Sequence, residues 1–122
     1  MSLSVDLISP DELDASLVDA WRRMADADPD LVSPYFQPEF TQVAGAVTPG
    51  ARVALFRRGG RVVGFFPHQR RGGSIQPLAA PLNDYHGVVA DRAEAIGLEQ
   101  VAELLKAPRL SVGGWVGPAN GG

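Results

Sequence analysis

The sequence of 122 residues contains no cysteine, which excludes disulfide bonds, thiolate metal sites and cysteine nucleophiles. It has no apolar run approaching the roughly 20 residues that a membrane-spanning helix needs, so no membrane contact is expected. Its first residues form neither the basic nor the apolar region of a secretory signal, and the expected location is the cytoplasm. The only two histidines are far apart and lack the spacing of metal ligands, so no metal site is expected.

Acidic residues are missing from one part of the chain, although the net charge is −3 at pH 7. The first thirty residues carry eight acids, whereas the twenty residues from 52 to 71 carry none and hold six arginines: Arg52, Arg57, Arg58, Arg61, Arg70 and Arg71. Such a cluster is typical of an anion site for phosphate, coenzyme A or nucleic acid, or of a hairpin whose solvated ends face the acidic first helix. The second interpretation is favoured. Nucleic acid is not an expected partner, because the arginines lack an interleaved aromatic stacking platform.

The first third of the chain predicts a short strand and a helix. Residues 5–8 are apolar enough for an opening strand, and residues 9–12 then read Ser-Pro-Asp-Glu. This order predicts a helix start, with serine as the N-cap, proline at the first helical position and glutamate completing a capping box. An apolar stripe at helical spacing follows and predicts a core-facing helix that ends near Asp26: Leu13, Leu17, Trp21 and Met24.

A second helix is predicted to open at Pro38 and to end at Pro49-Gly50. Its apolar side is predicted to carry Phe40, Val43, Ala44 and Val47. Tyr35 and Phe36 precede it on an extended segment, where they would either line a substrate-binding cleft or staple the helix onto the sheet.

Residues 52–69 predict a β-hairpin, in which Gly59-Gly60 supplies the positive φ angles of a tight turn. The mixed apolar runs on either side predict strands that helices cover on both faces. Gly64 indicates a bulge or the close approach of another backbone. Pro67 indicates an edge or a bulge, because it has no N–H to donate to a sheet.

The remaining elements are two further strands at residues 74–79 and 87–90, a helix and a last strand at 109–116. The helix is predicted to begin at Asp91 with Glu94, and its apolar face is Leu98, Val101, Ala102 and Leu105. The whole is predicted to be one α/β domain over residues 1–116, followed by a flexible or truncated tail at 117–122. Its sheet is mixed and mostly antiparallel, of about 4–6 strands, with two N-terminal helices and one C-terminal helix.

Polar side chains are densest in the loop Pro-Leu-Asn-Asp-Tyr-His-Gly at residues 81–87. His86 could accept a proton near neutral pH, Asp84 could orient its imidazole, and Tyr85 could donate a proton. Asn83 is a candidate substrate contact, and His68, after Pro67, is a second candidate base and substrate contact. The alternative is a structural loop in which Asn and Asp side chains bond to the backbone.

Three stretches resemble a known family: residues 33–41 (Ser-Pro-Tyr-Phe-Gln-Pro-Glu-Phe-Thr), residues 60–69 (Gly-Arg-Val-Val-Gly-Phe-Phe-Pro-His-Gln) and the loop at 81–87. Together they resemble the amino-terminal part of bacterial acetyltransferases of the CelD/BcsL type, which are linked to cellulose biosynthesis. That family belongs with the GNAT-like and FemAB-like acyltransferases, so the resemblance implies a GNAT-like fold and, for the full-length family, acetyl-CoA as the cofactor.

Members of that family are longer and have two GNAT-like halves, and the resemblance implies that the acetyl-CoA-binding half lies outside this chain. GNAT enzymes hold the pyrophosphate on a Gly-rich turn that leads into a helix. The nearest approach here is residues 70–73, Arg-Arg-Gly-Gly, which lack both the spacing and a following helix. No cofactor-binding residue is therefore predicted.

Two functions are compatible with these observations. The favoured hypothesis is an acceptor-side or structural part of an acyltransferase linked to exopolysaccharide or cellulose biosynthesis. It would be inactive alone and paired with a C-terminal GNAT half or another subunit. The alternative is a complete small acetyl-CoA-dependent N-acetyltransferase that uses the hairpin arginines and His86. An exposed apolar sheet face would favour the first hypothesis, and a V-shaped opening between neighbouring strands the second.

Overall fold

The structure is a computed structural model, and it describes residues 3–31, 36–71, 74–76, 78, 86–91, 94, 96, 98–105, 109–110 and 115–116. Its strands are β1 (Leu3–Ile8), β2 (Ala51–Arg58), β3 (Arg61–Arg71), β4 (Ser74–Gln76), β5 (His86–Gly87), β6 (Val89–Ala90), β7 (Arg109–Leu110) and β8 (Trp115–Val116). Its helices are α1 (Ala15–Ala27), α2 (Pro38–Val47) and α3 (Leu98–Leu105).

Six of the strands form one sheet in the order β1-β2-β3-β4-β7, with β6 pairing to β3 as well. All of its pairs are antiparallel except β4 with β7, and β5 and β8 form a separate parallel pair. The predicted α/β class is therefore confirmed, as are the mostly antiparallel sheet and the order of two helices before the hairpin and one after it.

Helices cover both faces of the central strands, as the mixed apolar runs predict. On one face, α1 places Trp21 and Ala25 against Val53, Leu55 and Phe65. The indole of Trp21 stacks on Phe65 with ring centroids 4.9 Å apart. On the other face, a second cluster joins the sheet to α3: Ala54, Phe56, Val63, Phe66, Ile75, Val88, Ile96, Val101 and Leu105. The hairpin is thus the shared middle layer of two cores.

The first helix begins later than predicted. Ser9 does form a capping box with Glu12, and its N–H donates to Glu12 Oε1 at 2.8 Å, but this box closes only a 3-10 turn at Pro10–Glu12. The α-helix starts at Ala15, where Asp14 is the N-cap and its carboxylate accepts from the N–H of Leu17 at 2.9 Å. Two capping signals five residues apart, Ser9 and Asp14, compete here, and the second one opens the α-helix.

The predicted apolar side of α2 is wrong in part. Val43 and Val47 are 72% and 80% exposed, whereas Thr41 and Ala44 are buried. The helix is rotated because it packs on the 3-10 turn through Gly45, at which an alanine Cβ would overlap the ring of Pro10. Close backbone approach at one glycine therefore decides which face of α2 is buried.

The hairpin has the predicted turn and bulge. Gly59 and Gly60 have φ of 61° and 85°, the positive values that a two-residue hairpin turn needs. The register of β2 with β3 shifts between Phe56 and Arg57, one residue from Gly64. A Cβ at Gly64 would lie 3.1 Å from Ile96 Cδ1 and 3.4 Å from Val89 O, so another backbone does approach closely.

The elements after the hairpin are shorter than predicted. The strand predicted at 74–79 is β4, the one at 87–90 is divided into β5 and β6, and the one at 109–116 into β7 and β8. The last helix starts at Leu98, after Gly97, rather than at Asp91. Around Asp91 there is instead a turn, in which Glu94 N donates to Asp91 O at 2.8 Å. The predicted tail at 117–122 lies outside the described residues.

Candidate functional site

Two short strands pair with the edge of β3 that faces away from β2. Near its start β3 pairs with β6, through Gly64 with Ala90 and Phe65 with Val89. Near its end it pairs with β4, beginning at Gln69. Within the described part of the chain, Pro67 and His68 have no strand partner on this edge. We call these two residues the edge gap.

Pro67 explains why the ladder to β6 stops. On this edge Val63 O accepts from Asp91 N at 2.9 Å, and alternate residues of an antiparallel strand turn their main-chain groups to the same edge. Residues 65, 67 and 69 therefore turn to the same side as residue 63. Proline has no N–H, so it stands at a position where a donor to a neighbouring strand would be needed. The predicted edge character of Pro67 is thus found inside β3 rather than at its end.

His68 is buried beside Pro67, at 1% exposure. Its ring stacks on Phe66 with centroids 5.1 Å apart, and Nδ1 lies 2.9 Å from the carbonyl oxygen of Phe66. A carbonyl only accepts, so Nδ1 carries the proton and Nε2 holds the lone pair. The pKa of His68 is lowered to about 4, mainly by burial and also by the positive charges of Arg70 and Arg52, against the opposing effect of the bond to Phe66. The imidazole is therefore neutral at physiological pH.

The fold also brings the backbone of the other histidine to this edge. Cα atoms of β5, which begins at His86, come within 8 Å of Cα atoms of β3. The register of β6 on β3 pairs residue 64 with 90 and 65 with 89. Counting on past residue 88 gives residue 86 opposite residue 68, but within the described residues β5 is paired with β8 in a separate sheet rather than with β3. The backbone of β5 is therefore near β3 without belonging to the same sheet.

Most other predicted site residues fall elsewhere. Asn83, Asp84, Tyr85 and Tyr35 lie outside the described residues. Phe36 is 3% exposed and packs in the core on the α1 face, while its carbonyl oxygen accepts from Trp21 Nε1 at 2.6 Å. Phe36 therefore joins the segment before α2 to α1, which is the stapling alternative rather than a cleft wall.

The hairpin arginines are bound to protein groups. Arg57 pairs with Asp6 of β1 at 2.9 Å, and Arg61 lies 3.7 Å from Asp91. Arg58 contacts both carboxylate oxygens of Glu94, which lies before α3. These partners correct the expectation that the cluster faces the acidic first helix.

The remaining described hairpin arginines contact main-chain oxygens. Arg70 Nη2 donates to Leu105 O at 3.2 Å, at the end of α3, and Arg52 Nη1 donates to Ala51 O at 2.6 Å. Arg57, Arg58 and Arg61 already have carboxylate partners, so these residues do not fit the pyrophosphate of acetyl-CoA as a preformed site.

Two features at α2 are not evident from the sequence. Thr41 on α2 is fully buried, and its Oγ1 has no hydrogen-bond partner within the described part. A cleft of about 310 Å³ opens between the 3-10 turn, α2 and the start of β2. Both depend on the rotation of α2, for which the apolar pattern gave the wrong face.

The described segments contain neither a metal-ligand cluster nor a membrane-spanning helix. No group of three or more His, Cys, Asp or Glu side chains there is placed to hold a metal ion. Among the helices of those segments, none is both long and apolar enough to cross a bilayer. Comparisons of the chain with protein-family models, with curated proteins and with solved structures find no match.

Proposed function

We propose that this chain is the acceptor-side part of a GNAT/FemAB-like acyltransferase linked to exopolysaccharide or cellulose biosynthesis, and that it is not catalytic alone. The observation that carries the proposal is the edge gap, where a neutral buried imidazole lies and to which the backbone of His86 is brought. The element order of two helices, an antiparallel hairpin and a later strand–helix–strand is compatible with the GNAT-like fold that the family resemblance implies.

The chemistry assigned to the gap is proton transfer. A hydroxyl or amino acceptor becomes a nucleophile when a base removes its proton, and an unprotonated imidazole nitrogen can accept it, although a pKa of about 4 makes His68 a weaker base than an ordinary histidine. His68 is already deprotonated at Nε2, and its tautomer is fixed by the bond from Nδ1 to Phe66 O. His86 is the second candidate base. The acceptor substrate would approach along the edge of β3 at which Pro67 has no backbone N–H to donate.

We assign the binding of the acyl donor, acetyl-CoA, to another polypeptide or to another part of a longer one. Arg57, Arg58 and Arg61 of the hairpin are bound to Asp6, Glu94 and Asp91, so these three offer no ready phosphate site. This arrangement disfavours the alternative of a complete N-acetyltransferase built on those arginines. Within the described residues the large exposed apolar side chains are Leu7, Val43 and Val47, so no extensive apolar sheet face supports a docked half either.

The proposal is tested by titrating ¹⁵N-labelled chain with an acceptor of each class, cellotetraose for hydroxyls and glucosamine for amines. Binding at the gap is expected to shift the imidazole nitrogen resonances of His68 or His86, and the shift of His68 is expected to be lost in His68→Asn. An Asn amide nitrogen is as many bonds from Cα as Nδ1, so this variant keeps a donor to Phe66 O and removes Nε2. If neither acceptor shifts either imidazole, the acceptor-side assignment is wrong.

A thermal melt with acetyl-CoA separates the two hypotheses. A ligand at about 100 times its Kd adds roughly 2.7 kcal/mol, which for a domain of this size raises Tm by on the order of 10 °C. The acceptor-side proposal predicts no such increase. An increase that is lost when Arg57 and Arg58 are changed to Gln would instead support the complete enzyme.

A further inference from the structure

A cleft opens between the 3-10 turn, the second half of α2 and the start of β2. It has a volume of about 310 Å³, at the lower end of the range of small-molecule sites. One of its lining residues, Arg52, is paired with His68 in the register of β2 with β3, and the lining carries groups of both charges and small residues. Its polar lining residues are Ser9, Asp11, Gln42, Thr48 and Arg52.

Arg52 differs from the other hairpin arginines in its partners. Arg57, Arg58 and Arg61 each have a carboxylate within 4.0 Å, whereas within the described part Arg52 has none. Its Nη1 donates a hydrogen bond to the neighbouring carbonyl oxygen of Ala51. The other N–H groups of the planar guanidinium remain for further acceptors. An exposed arginine without an acidic partner, at the wall of a cleft, is suited to bind a carboxylate in two parallel hydrogen bonds.

Asp11 supplies the opposite charge on the lining. Its Oδ1 accepts a hydrogen bond from the hydroxyl of Ser9. The 3-10 turn that carries Asp11 is held by a second hydrogen bond, from Ser9 N to Glu12 Oε1 at 2.8 Å. The other wall is equally fixed, because Gly45 of α2 packs directly on the ring of Pro10. Both charged groups are therefore attached to walls that are rigid before any ligand arrives, which lowers the entropic cost of binding.

The volume between these charges is bounded by short side chains. Ala46, Ala51 and Gly45 leave room for a ligand of a few carbon atoms, and the side chains of Gln42 and Thr48 add hydrogen-bonding groups. A purely anionic ligand would lie near the Asp11 carboxylate, and a purely cationic one near the Arg52 guanidinium, so either would meet a like charge. A ligand with both charges avoids this repulsion.

We infer that this cleft binds a small zwitterion of the α-amino-acid type, with its carboxylate on Arg52 and its ammonium group on Asp11. This site does not depend on the acyltransferase proposal, because it uses neither histidine and no acyl donor. Asp11 and Arg52 fix the orientation, and the small residues of the lining accommodate the side chain.

The test uses L-leucine with two analogues, each of which lacks one charge. The analogue 4-methylpentanoate lacks the ammonium group, and 3-methylbutylamine lacks the carboxylate. Amide and side-chain spectra of the ¹⁵N-labelled chain are followed during each titration. Leucine is expected to give saturable shifts at Gln42, Gly45, Thr48 and Arg52, with a Kd on the order of 1 mM, and each analogue is expected to bind about tenfold more weakly.

Three variants and one control complete the test. Arg52→Gln and Asp11→Asn are each expected to weaken leucine binding about tenfold or more, and Ala46→Leu is expected to block it by filling the cleft. Arg61→Gln removes the same charge from the same hairpin outside the cleft, and it is expected to bind leucine as the unchanged chain does.

Several results would overturn the inference. Shifts that do not saturate in the unchanged chain would show that the cleft is not a site for such a ligand. Equal binding of leucine and 4-methylpentanoate would show an anion site without a role for Asp11. Equal loss of binding in Arg52→Gln and Arg61→Gln would show that only net charge matters. Arg52 also lowers the pKa of His68, so Asp11→Asn and Ala46→Leu, which leave Arg52 in place, are the variants in which the two proposals can fail separately.

Discussion

His68 is buried, and its pKa is far below that of an exposed imidazole. Its ring stacks on Phe66, and the positive charges of Arg52 and Arg70 oppose its protonation. Burying a group that must stay neutral makes its contribution to stability depend on pH.

The stability of the chain is therefore expected to fall on mild acidification. The pKa of His68 is about 4 in the folded state against 6.5 for an unperturbed histidine, so the unfolded chain binds the proton first. Stability is complete above pH 6.5, and it decreases as pH falls towards 4, by about 3 kcal/mol in all from this residue. Urea unfolding at a series of pH values measures the change.

The variant His68→Asn is the control, because it has no group that titrates in this range. Its stability is expected to change much less between pH 6.5 and 4 than that of the unchanged chain. The lowered pKa values of Glu12 and Asp14, which follow from hydrogen bonds to Ser9 and Leu17, affect both chains alike and cancel in the comparison. Identical pH profiles for the two chains would mean that folding does not lower the pKa of His68.

Gly45 is the second residue with a specific structural requirement. Alanine is the better helix former by about 1 kcal/mol, so Gly45→Ala would stabilise α2 if only propensity mattered. Overlap of the new Cβ with the ring of Pro10 is expected to reverse the sign and cost about 1–3 kcal/mol of unfolding free energy. Val43→Ala at the exposed face of α2 is the matched control, expected to stay within about 0.5 kcal/mol. A stabilised Gly45→Ala chain would contradict the described packing.

At the scale of elements, two ion pairs of neighbouring arginines join β2 to different parts of the chain. Arg58 holds Glu94 through several hydrogen bonds, with the two side chains 35% and 11% exposed, and so ties the hairpin to the segment before α3. Arg57 holds Asp6 of β1 with exposures of 33% and 61%. Desolvation and bidentate geometry make the first pair the stronger one.

Double-mutant cycles are expected to show this difference. The coupling energy of Arg58 with Glu94 is expected to be about 1–2 kcal/mol, and that of Arg57 with Asp6 about 0.5 kcal/mol or less. Each cycle combines a single change to Ala at each position with the double change, and chemical denaturation gives the free energies. A larger coupling for Arg57 with Asp6 would mean that the exposed pair, not the partly buried one, fixes the hairpin.

The elements also show what the sequence could and could not predict. The turn at Gly59 and Gly60, the bulge near Gly64 and the core position of Trp21 follow from local chemistry, and they are confirmed. The start of α1 and the buried face of α2 were predicted wrongly. The capping box of Ser9 and Glu12 closes a 3-10 turn instead of opening α1. The face of α2 that is buried depends on the packing of Gly45 against Pro10 of that turn.

At the scale of the whole molecule, the class of fold could be predicted and the candidate site only in part. His68 and His86 both stand out in the sequence as candidate bases. The proximity of β5, which begins at His86, to β3 could not be predicted, because it depends on the pairing of β6, a strand of two residues, with β3. The arginine cluster gave no hint of its partners, because Asp6, Asp91 and Glu94 are remote from it in sequence.

The proposed site exists only if the backbone of His86 lies beside β3. The most direct measurement is the set of cross-strand nuclear Overhauser effects between backbone protons of residues 64–68 and residues 86–90 in labelled chain. Effects between Phe65 and Val89 serve as the internal standard, since those residues are paired. We expect further effects that join residues 67–68 to residues 86–87. Clear effects at Phe65 and Val89 with none at His68 or its neighbour Pro67 would contradict the site.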